Sequence, residues 1–411
     1  MKVLLINIQE LLQVRDQPPQ KLRGAEMQHL PILRNAWLLL NKGLIEDYGT
    51  MEQPPKGTFS RIIDCTGRIV MPTWCDSHTH LVYAGNREQE FIDRIKGLSY
   101  QEIAKRGGGI LNSAQKLQQT TEKSLFEQSF KRLEEVVDMG TGAIEIKSGY
   151  GLTVESELKM LRVARKLAKK YPVAIKTTFL GAHAVPSEFR EKKERYLDVV
   201  CHEMLPRIAE ENLADYIDIF CEDGYFSVED TERVLSEGKK YGLVPKIHVN
   251  QFKSIGGVAA GVKHKALSVD HLEVLTQADL DALIGSETMP VALPACSFFL
   301  GIPYTPGRQL IDSGLPLALA TDYNPGSSPT GNMNFVVAAA CIKMKLTPEE
   351  AINAATLNGA YAMGLSDTLG TITRGKIANV MITKEIPSYG YLPYSFGNMN
   401  IDQVILKGRV L

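Results

Sequence analysis

Eight short apolar runs, each followed by a longer amphipathic stretch, constrain this chain more than any other feature. The runs fall at 69–75, 143–147, 174–180, 216–221, 244–249, 266–269, 289–293 and 315–320. Between them, stretches such as 154–170 and 231–241 carry apolar residues three and four apart, the period of a helix with one buried face. Repeated strand-then-helix units imply parallel strands, and eight of them predict an α/β fold, a closed (β/α)8 barrel of the TIM type. An open doubly wound sheet is the rival. The flanks read differently. Residues 3–8, 36–40 and 61–64 are short apolar runs separated by turn chemistry at 41–43 and 54–57, and 370–372, 379–382 and 403–406 return to that pattern. The expected organisation is a barrel over 69–367 with a small flanking β-sandwich domain composed of 1–68 and 368–411. A chain of 411 residues has room for both.

Composition matters mainly for what it excludes. Hydrophobic residues make up 44% and charged residues 23%, ample for a globular core, and the net charge of -1 offers no electrostatic case for nucleic acid or an anionic membrane. The six cysteines form no CxxC pair and read as reduced thiols. The chain opens on a strand signal rather than a charged-then-apolar leader, and no apolar stretch is long enough to span a bilayer. A cytoplasmic protein is expected. The basic run Arg162, Arg165, Lys166, Lys169 and Lys170 is interleaved with apolar residues at helical spacing, which predicts a solvated helix face.

In such a barrel, chemistry gathers at the C-terminal ends of the strands. The first strand ends Asp76-Ser77-His78-Thr79-His80 and the second Glu145-Ile146-Lys147-Ser148-Gly149-Tyr150. The third ends at His183, the fourth at Glu222, the fifth at His248, the sixth at Asp270-His271 and the eighth at Asp322. Five of the eight histidines fall at these ends, more than chance scattering would give. His78 and His80 are two apart, so an extended backbone points both rings the same way. Alone that pair is weak, but His248 and Asp322 complete a set of three imidazoles and one carboxylate that leaves a coordination position for water. Zn²⁺ is the default ion for these donors, and iron suits them too.

Longer runs carry a resemblance. Residues 76–87 (Asp-Ser-His-Thr-His-Leu-Val-Tyr-Ala-Gly-Asn-Arg), Gly107-Gly108-Gly109-Ile110, Lys147-Ser148-Gly149-Tyr150-Gly151-Leu152, Leu180-Gly181-Ala182-His183, Asp270-His271-Leu272-Glu273 and residues 320–329, from Ala320 to Pro329, together span most of the chain. On these the chain resembles the amidohydrolase superfamily and, within it, the imidazolonepropionase family, metal-dependent hydrolases of histidine degradation. The resemblance implies one Zn²⁺ or Fe³⁺ per subunit, held by His78, His80, His248 and Asp322. Two-metal relatives place a carboxylated lysine at the end of the fourth strand. Here that strand ends in Glu222, and Lys147 belongs to the second, so a mononuclear site is expected, with Glu222 a polar residue of the rim.

The implied reaction is hydrolytic ring opening of a small molecule, 4-imidazolone-5-propanoate, to N-formimidoyl-L-glutamate by a metal-activated water. His271 would hydrogen-bond the water or the developing oxyanion, and Asp322 would carry the proton to the leaving nitrogen. Arg87 would pair with the propionate. Tyr150, His183, Asn324, Gly326 and Ser327 would contact the rest of the substrate. One departure stands out. Where related deaminases and some imidazolonepropionases carry an acid three positions after the fifth-strand histidine, this chain has Gln251, an amide that cannot shuttle a proton. An orienting role is expected of it, and proton transfer is left to Asp322 and His271. The rivals are a purine or pyrimidine aminohydrolase and a non-catalytic barrel scaffold. The glycines at 107–109 lack the context of a phosphate-binding loop and are expected to form a mobile cover. The resemblance also suggests a homodimer.

Overall fold

The computed structural model describes residues 2–98, 102–103 and 108–411; Gly107 and the first part of the expected cover lie outside the described residues. The chain begins in a mixed sheet: β1 (Lys2–Leu12), β2 (Ile32–Asn41), β3 (Leu44–Thr50), β4 (Arg61–Asp64) and β5 (Arg68–Pro72). Its last strands, β14 (Val380–Glu385), β15 (Ile401–Leu406) and β16 (Arg409–Val410), return to the same sheet. The strand order is β16-β15-β14-β5-β1-β2-β3, with β4 also pairing β1. Both chain ends therefore join in one sheet, with a core of its own that includes Val3, Leu5, Leu38, Val70, Val380 and Ile405.

The chain then builds the barrel: β6 (Trp74–Thr79), β7 (Thr141–Lys147), β8 (Ala174–Ala182), β9 (Tyr216–Cys221), β10 (Val244–Val249), β11 (Ser268–His271), β12 (Met289–Ala292) and β13 (Ala318–Leu319). They lie side by side in chain order, each pair parallel. Closure is made just past the last strand. The amide of Asp322 donates to His78 O at 3.0 Å and that of His80 to Tyr323 O at 2.9 Å. Asp76 Oδ1 and Oδ2 accept from the amide and hydroxyl of Thr321 at 3.0 and 2.7 Å. Three of the metal-ligand candidates, His78, His80 and Asp322, thus sit on the seam that shuts the barrel.

Two strand boundaries differ from the sequence reading for local reasons. The single run 69–75 is two strands, β5 in the mixed sheet and β6 in the barrel. Successive amides separate them: Thr73 donates to Asn379 O at 3.2 Å in one sheet and Trp74 to Gly140 O at 2.9 Å in the other. The run at 315–320 contributes only Ala318–Leu319 to the ladder. Asp322 then turns to φ +55. Helices pack outside the barrel, and their starts are capped as the sequence specifies: Ser227 with Asp230, Thr276 with Asp279 and Thr347 with Glu350 form reciprocal capping boxes. Val154–Lys170 is one 17-residue helix whose buried face includes Leu158, Leu161 and Leu167. All six cysteines are free thiols. Among the described residues no helix is long and apolar enough to cross a membrane.

The barrel interior is not the usual branched aliphatic packing. Glu145, Lys147, Asp218, Lys246 and Asp270 are all fully buried there. Lys147 Nζ lies 2.7 Å from Glu145 Oε1, 2.8 Å from Asp218 Oδ2 and 3.4 Å from Asp270 Oδ2. Lys246 pairs with the other oxygen of Glu145 and donates to the carbonyls of Ser77 at 3.2 Å and Ala362 at 3.0 Å. Every charge in this layer has an opposite partner, the condition under which buried ions are tolerated.

Candidate metal centre and active site

Above that layer the strand ends converge. His78 is fully buried, and His80, His248 and Asp322 are nearly so. His78 Nε2 lies 3.5 Å from Asp322 Oδ1, His80 Nε2 lies 3.7 Å from the same oxygen, and His248 Nε2 is 3.4 Å from His80 Nε2. His78 belongs to two overlapping donor groups, one with His80 and Asp322 and one with His248 and His271, each with ligand atoms within 4.8 Å of one another. Among the described residues, buried His78 Nε2 has no hydrogen-bond partner. An orphaned imidazole nitrogen facing two more imidazoles and a carboxylate fits a metal ion better than it fits a polar core.

The far side of each ring supports the same orientation. His78 Nδ1 lies 2.7 Å from Asp270 Oδ2 and His248 Nδ1 lies 3.0 Å from Asp218 Oδ2, whereas His80 Nδ1 has only Ser148 O at 3.4 Å. A Nδ1–H donated to a carboxylate leaves Nε2 as the lone-pair donor. Burial, and then neighbouring Lys147 for His78 or His183 for His80, hold both of these rings well below the ordinary histidine pKa, so they are neutral and ready to ligate.

His271 follows inward-facing Asp270 directly, and strand alternation alone would turn its ring away. Its φ of +91 brings the ring back to line the cleft, a backbone state rare outside glycine and typical of functional sites. Its Nδ1 lies 3.2 Å from Glu273 Oε1, and its carbonyl accepts from Thr305 Oγ1 at 2.6 Å. Burial alone would lower its pKa, but Glu273, Asp322 and Asp270 outweigh burial and raise it to about 9. Burial raises the Asp322 carboxyl above its usual range, opposed by His271 and His248.

Arg87, Tyr150, His183, Gln251, Asn324, Gly326 and Ser327 all line the cleft with His80, His248, His271 and Asp322. Every sequence-predicted site residue except fully buried His78 therefore lines one cavity. Arg87 reaches it because Gly326 has no side chain: a Cβ there would stand 1.9 Å from Arg87 Nη1. Arg87 Nε and Nη2 donate to Glu90 Oε2 at 2.8 and 2.6 Å. Glu90 also accepts from the Gly109 amide at 3.1 Å and from Asn112 Nδ2 at 2.9 Å, tying the guanidinium to the start of helix Ile110–Gln119.

His183 stacks on His80 with ring centroids 5.1 Å apart and planes 8° from parallel, and Tyr150 lies 5.4 Å from His183. The turn presenting Tyr150 is shaped by buried Glu157, whose carboxylate accepts the amides of Gly149 at 3.0 Å, Gly151 at 2.7 Å and Leu152 at 2.9 Å. Asn324 builds its own turn: Oδ1 accepts the Gly326 and Ser327 amides, both at 2.8 Å, and Nδ2 donates to Asp322 O at 2.6 Å and to Ser327 Oγ at 2.7 Å. Ser327 Oγ in turn donates to Asp322 Oδ2 at 3.2 Å. Gln251 Nε2 contacts Cys296 Sγ at 3.5 Å. Glu222 accepts the amides of Asp223, Phe252 and Lys253, each at 3.0 Å, which makes it a rim residue that fixes the loop carrying Gln251.

Sequence reasoning did not assign roles to Glu90, Glu145, Glu157, Asp218, Lys246 or Glu273. A period-two reading back from each strand end finds some of what it missed. Glu145 lies two before Lys147 and Lys246 two before His248, each pair on the same face of its strand. Glu90 and Glu157 act across loops and leave no such signal.

Comparison with known proteins agrees with this geometry. Residues 69–411 match the model of the Amidohydrolase family, which makes the chain a member of that class of hydrolases. Over its full length it is 64% identical to the whole of the imidazolonepropionase of Christiangramia forsetii, and 39% identical to that of Alkaliphilus oremlandii, covering 97% of the latter. The chain belongs to the imidazolonepropionase family. Among solved structures it resembles a zinc-complexed atrazine chlorohydrolase from Arthrobacter aurescens (TM-score 0.70, 15% identity, 100% of this chain and 95% of that one). It also resembles a zinc-bound adenosine deaminase from Xanthomonas campestris (0.72, 15%, 99% and 92%). At that identity the likeness establishes the fold alone.

Proposed function

We propose that this site opens the ring of 4-imidazolone-5-propanoate hydrolytically to give N-formimidoyl-L-glutamate. The chain is a hydrolase acting on C–N bonds. The observation that carries the substrate assignment is full-length membership of the imidazolonepropionase family, joined to a cleft that sets a guanidinium beside a four-donor centre. His78, His80, His248 and Asp322 would hold one Zn²⁺ or Fe³⁺, with zinc the first choice for three imidazoles and a carboxylate. When bound, the ion supplies Lewis acidity and lowers the pKa of a water toward neutrality.

The chain's own residues then divide the work. Arg87, oriented by Glu90, receives the propionate, and Tyr150 and His183 bracket the ring beside it. Asp322 accepts the proton of the attacking water and returns it to the ring nitrogen as the C–N bond breaks. His271 donates from Nε2 to the oxygen that gains charge, its other nitrogen directed to Glu273. Gln251 orients the ring without carrying a proton, since an amide cannot. Asn324, Gly326 and Ser327 form the turn that holds Asp322 and admits Arg87. The barrel at 69–367 and the composite β domain of 1–68 and 368–411 are the proposed domains. We propose a cytoplasmic protein, active on a small molecule, with no nucleic-acid partner, as a homodimer.

Product analysis tests the assignment. Mass spectrometry after incubation with 4-imidazolone-5-propanoate should show the substrate mass plus one water and no ammonia. Ammonia release from purine or pyrimidine bases instead would assign the aminohydrolase reading.

A further inference from the structure

The metal-ligand reading gives no role to the buried ammonium of Lys147, yet its contacts lead directly to two of the ligands. We propose that Lys147 is a positioning residue for the metal, clamping Asp218 and Asp270 where they orient the rings of His248 and His78. The inference rests on the ligand set proposed above.

The geometry is a closed chain of contacts. Asp270 Oδ2, 2.7 Å from His78 Nδ1, is also the oxygen 3.4 Å from Lys147 Nζ. Asp218 Oδ2, 3.0 Å from His248 Nδ1, is the oxygen 2.8 Å from the same ammonium. The two aspartates stand on β9 and β11, on either side of the β10 strand that carries His248. Two carboxylates so placed repel each other in a dry interior, and each would relax away from its histidine without a shared cation. Lys147 enters from β7 and meets both. Their remaining oxygens are fixed as well. Asp270 Oδ1 accepts from Ser268 Oγ at 2.5 Å, and Asp218 Oδ1 accepts the amides of Ile219 at 2.7 Å and His248 at 3.1 Å.

Carboxylates behind ligand imidazoles set the tautomer and the ring angle that the metal meets, and their loss typically costs about 10–100-fold in metal affinity. A lysine that merely neutralised the barrel interior would affect unfolding temperature but not the affinity of the folded protein. His80, whose Nδ1 faces the carbonyl of Ser148 at 3.4 Å, lies outside the clamp.

The test is a competition titration of the chelator-stripped full chain with Zn²⁺ against a chromophoric chelator, below the unfolding temperature of each variant. Lys147→Met, Asp218→Asn and Asp270→Asn should each weaken Zn²⁺ binding about 10–100-fold. Adding Lys147→Met to the Asp218→Asn, Asp270→Asn pair should lower affinity little further, because the lysine acts through those two groups. Zn²⁺ affinity within about twofold of the unsubstituted chain in folded Lys147→Met overturns the proposal. Should that variant not fold, unchanged affinity in both near-isosteric Asp→Asn variants overturns it equally. His78→Ala and His248→Ala are run alongside. If they abolish binding while the clamp variants do not, the clamp alone fails; if they bind Zn²⁺ normally, the ligand set fails with it.

Discussion

At the scale of single residues, Arg87 and Gly326 define the end of the cleft proposed to receive the carboxylate. The guanidinium occupies the space that any side chain at 326 would need. Arg87→Ala should raise KM by tenfold or more with metal content unchanged, since a buried charge-assisted pair contributes roughly 1.5–3 kcal/mol. Gly326→Ala should raise KM in the same direction by displacing Arg87; equal KM in both variants and the parent would remove this pair from the carboxylate pocket. His271 carries a pH dependence. Its pKa in the metal-free chain is raised from 6.5 to about 9, above the unfolded value. The stability this contributes is fully present below pH 6.5 and is lost as pH rises through about 9. Thermal unfolding of the chelated protein should show that decline, and Glu273→Gln should flatten it. An identical pH profile in the variant would refute the His271–Glu273 coupling.

Elements convert residue pattern into site geometry, and here the reach of sequence reasoning is clearest. Short continuous apolar runs, each followed by a helical period, mark parallel strands buried on both faces, so all eight barrel strands are legible. The run at 69–75 was misread as one strand because hydrophobicity cannot report which sheet an amide bonds to. The three candidate ligand histidines are legible from their places at strand ends. Asp218 was not, because a buried acid inside an apolar strand takes its meaning only from Lys147 and His248, which come from other strands. Glu157 shows the same limit for a turn. It looks like one of several acids at the start of a helix, yet it holds three amides of the Tyr150 turn. Glu157→Leu should destabilise the fold by roughly 3 kcal/mol or more, since each orphaned buried amide costs about 1–3 kcal/mol. Chemical denaturation measures this, and a loss below about 1 kcal/mol would mean the turn is held by other contacts.

For the whole molecule, the four donors come from strands far apart in sequence, with His78 and Asp322 also sealing the barrel seam. The proposed ion would link the first barrel strand to the chain beyond the last, and would bind the folded state only. Stripping it should lower the unfolding temperature by several degrees. The lost stabilisation is about 2.7 kcal/mol for free ion at about 100 times its Kd. Calorimetry with and without chelator checks this; coincident transitions would contradict a metal bound across the seam.

The most direct test of the central claim is loss of imidazolone absorbance when 4-imidazolone-5-propanoate meets the chain and its Asp322→Asn variant, both assayed with metal content measured. The account predicts multiple turnovers for the former. It predicts a folded Asp322→Asn protein with activity reduced at least about a thousandfold, corresponding to roughly 4 kcal/mol of lost transition-state stabilisation. Absence of turnover by the metal-loaded parent, or near-normal turnover by Asp322→Asn, would contradict it.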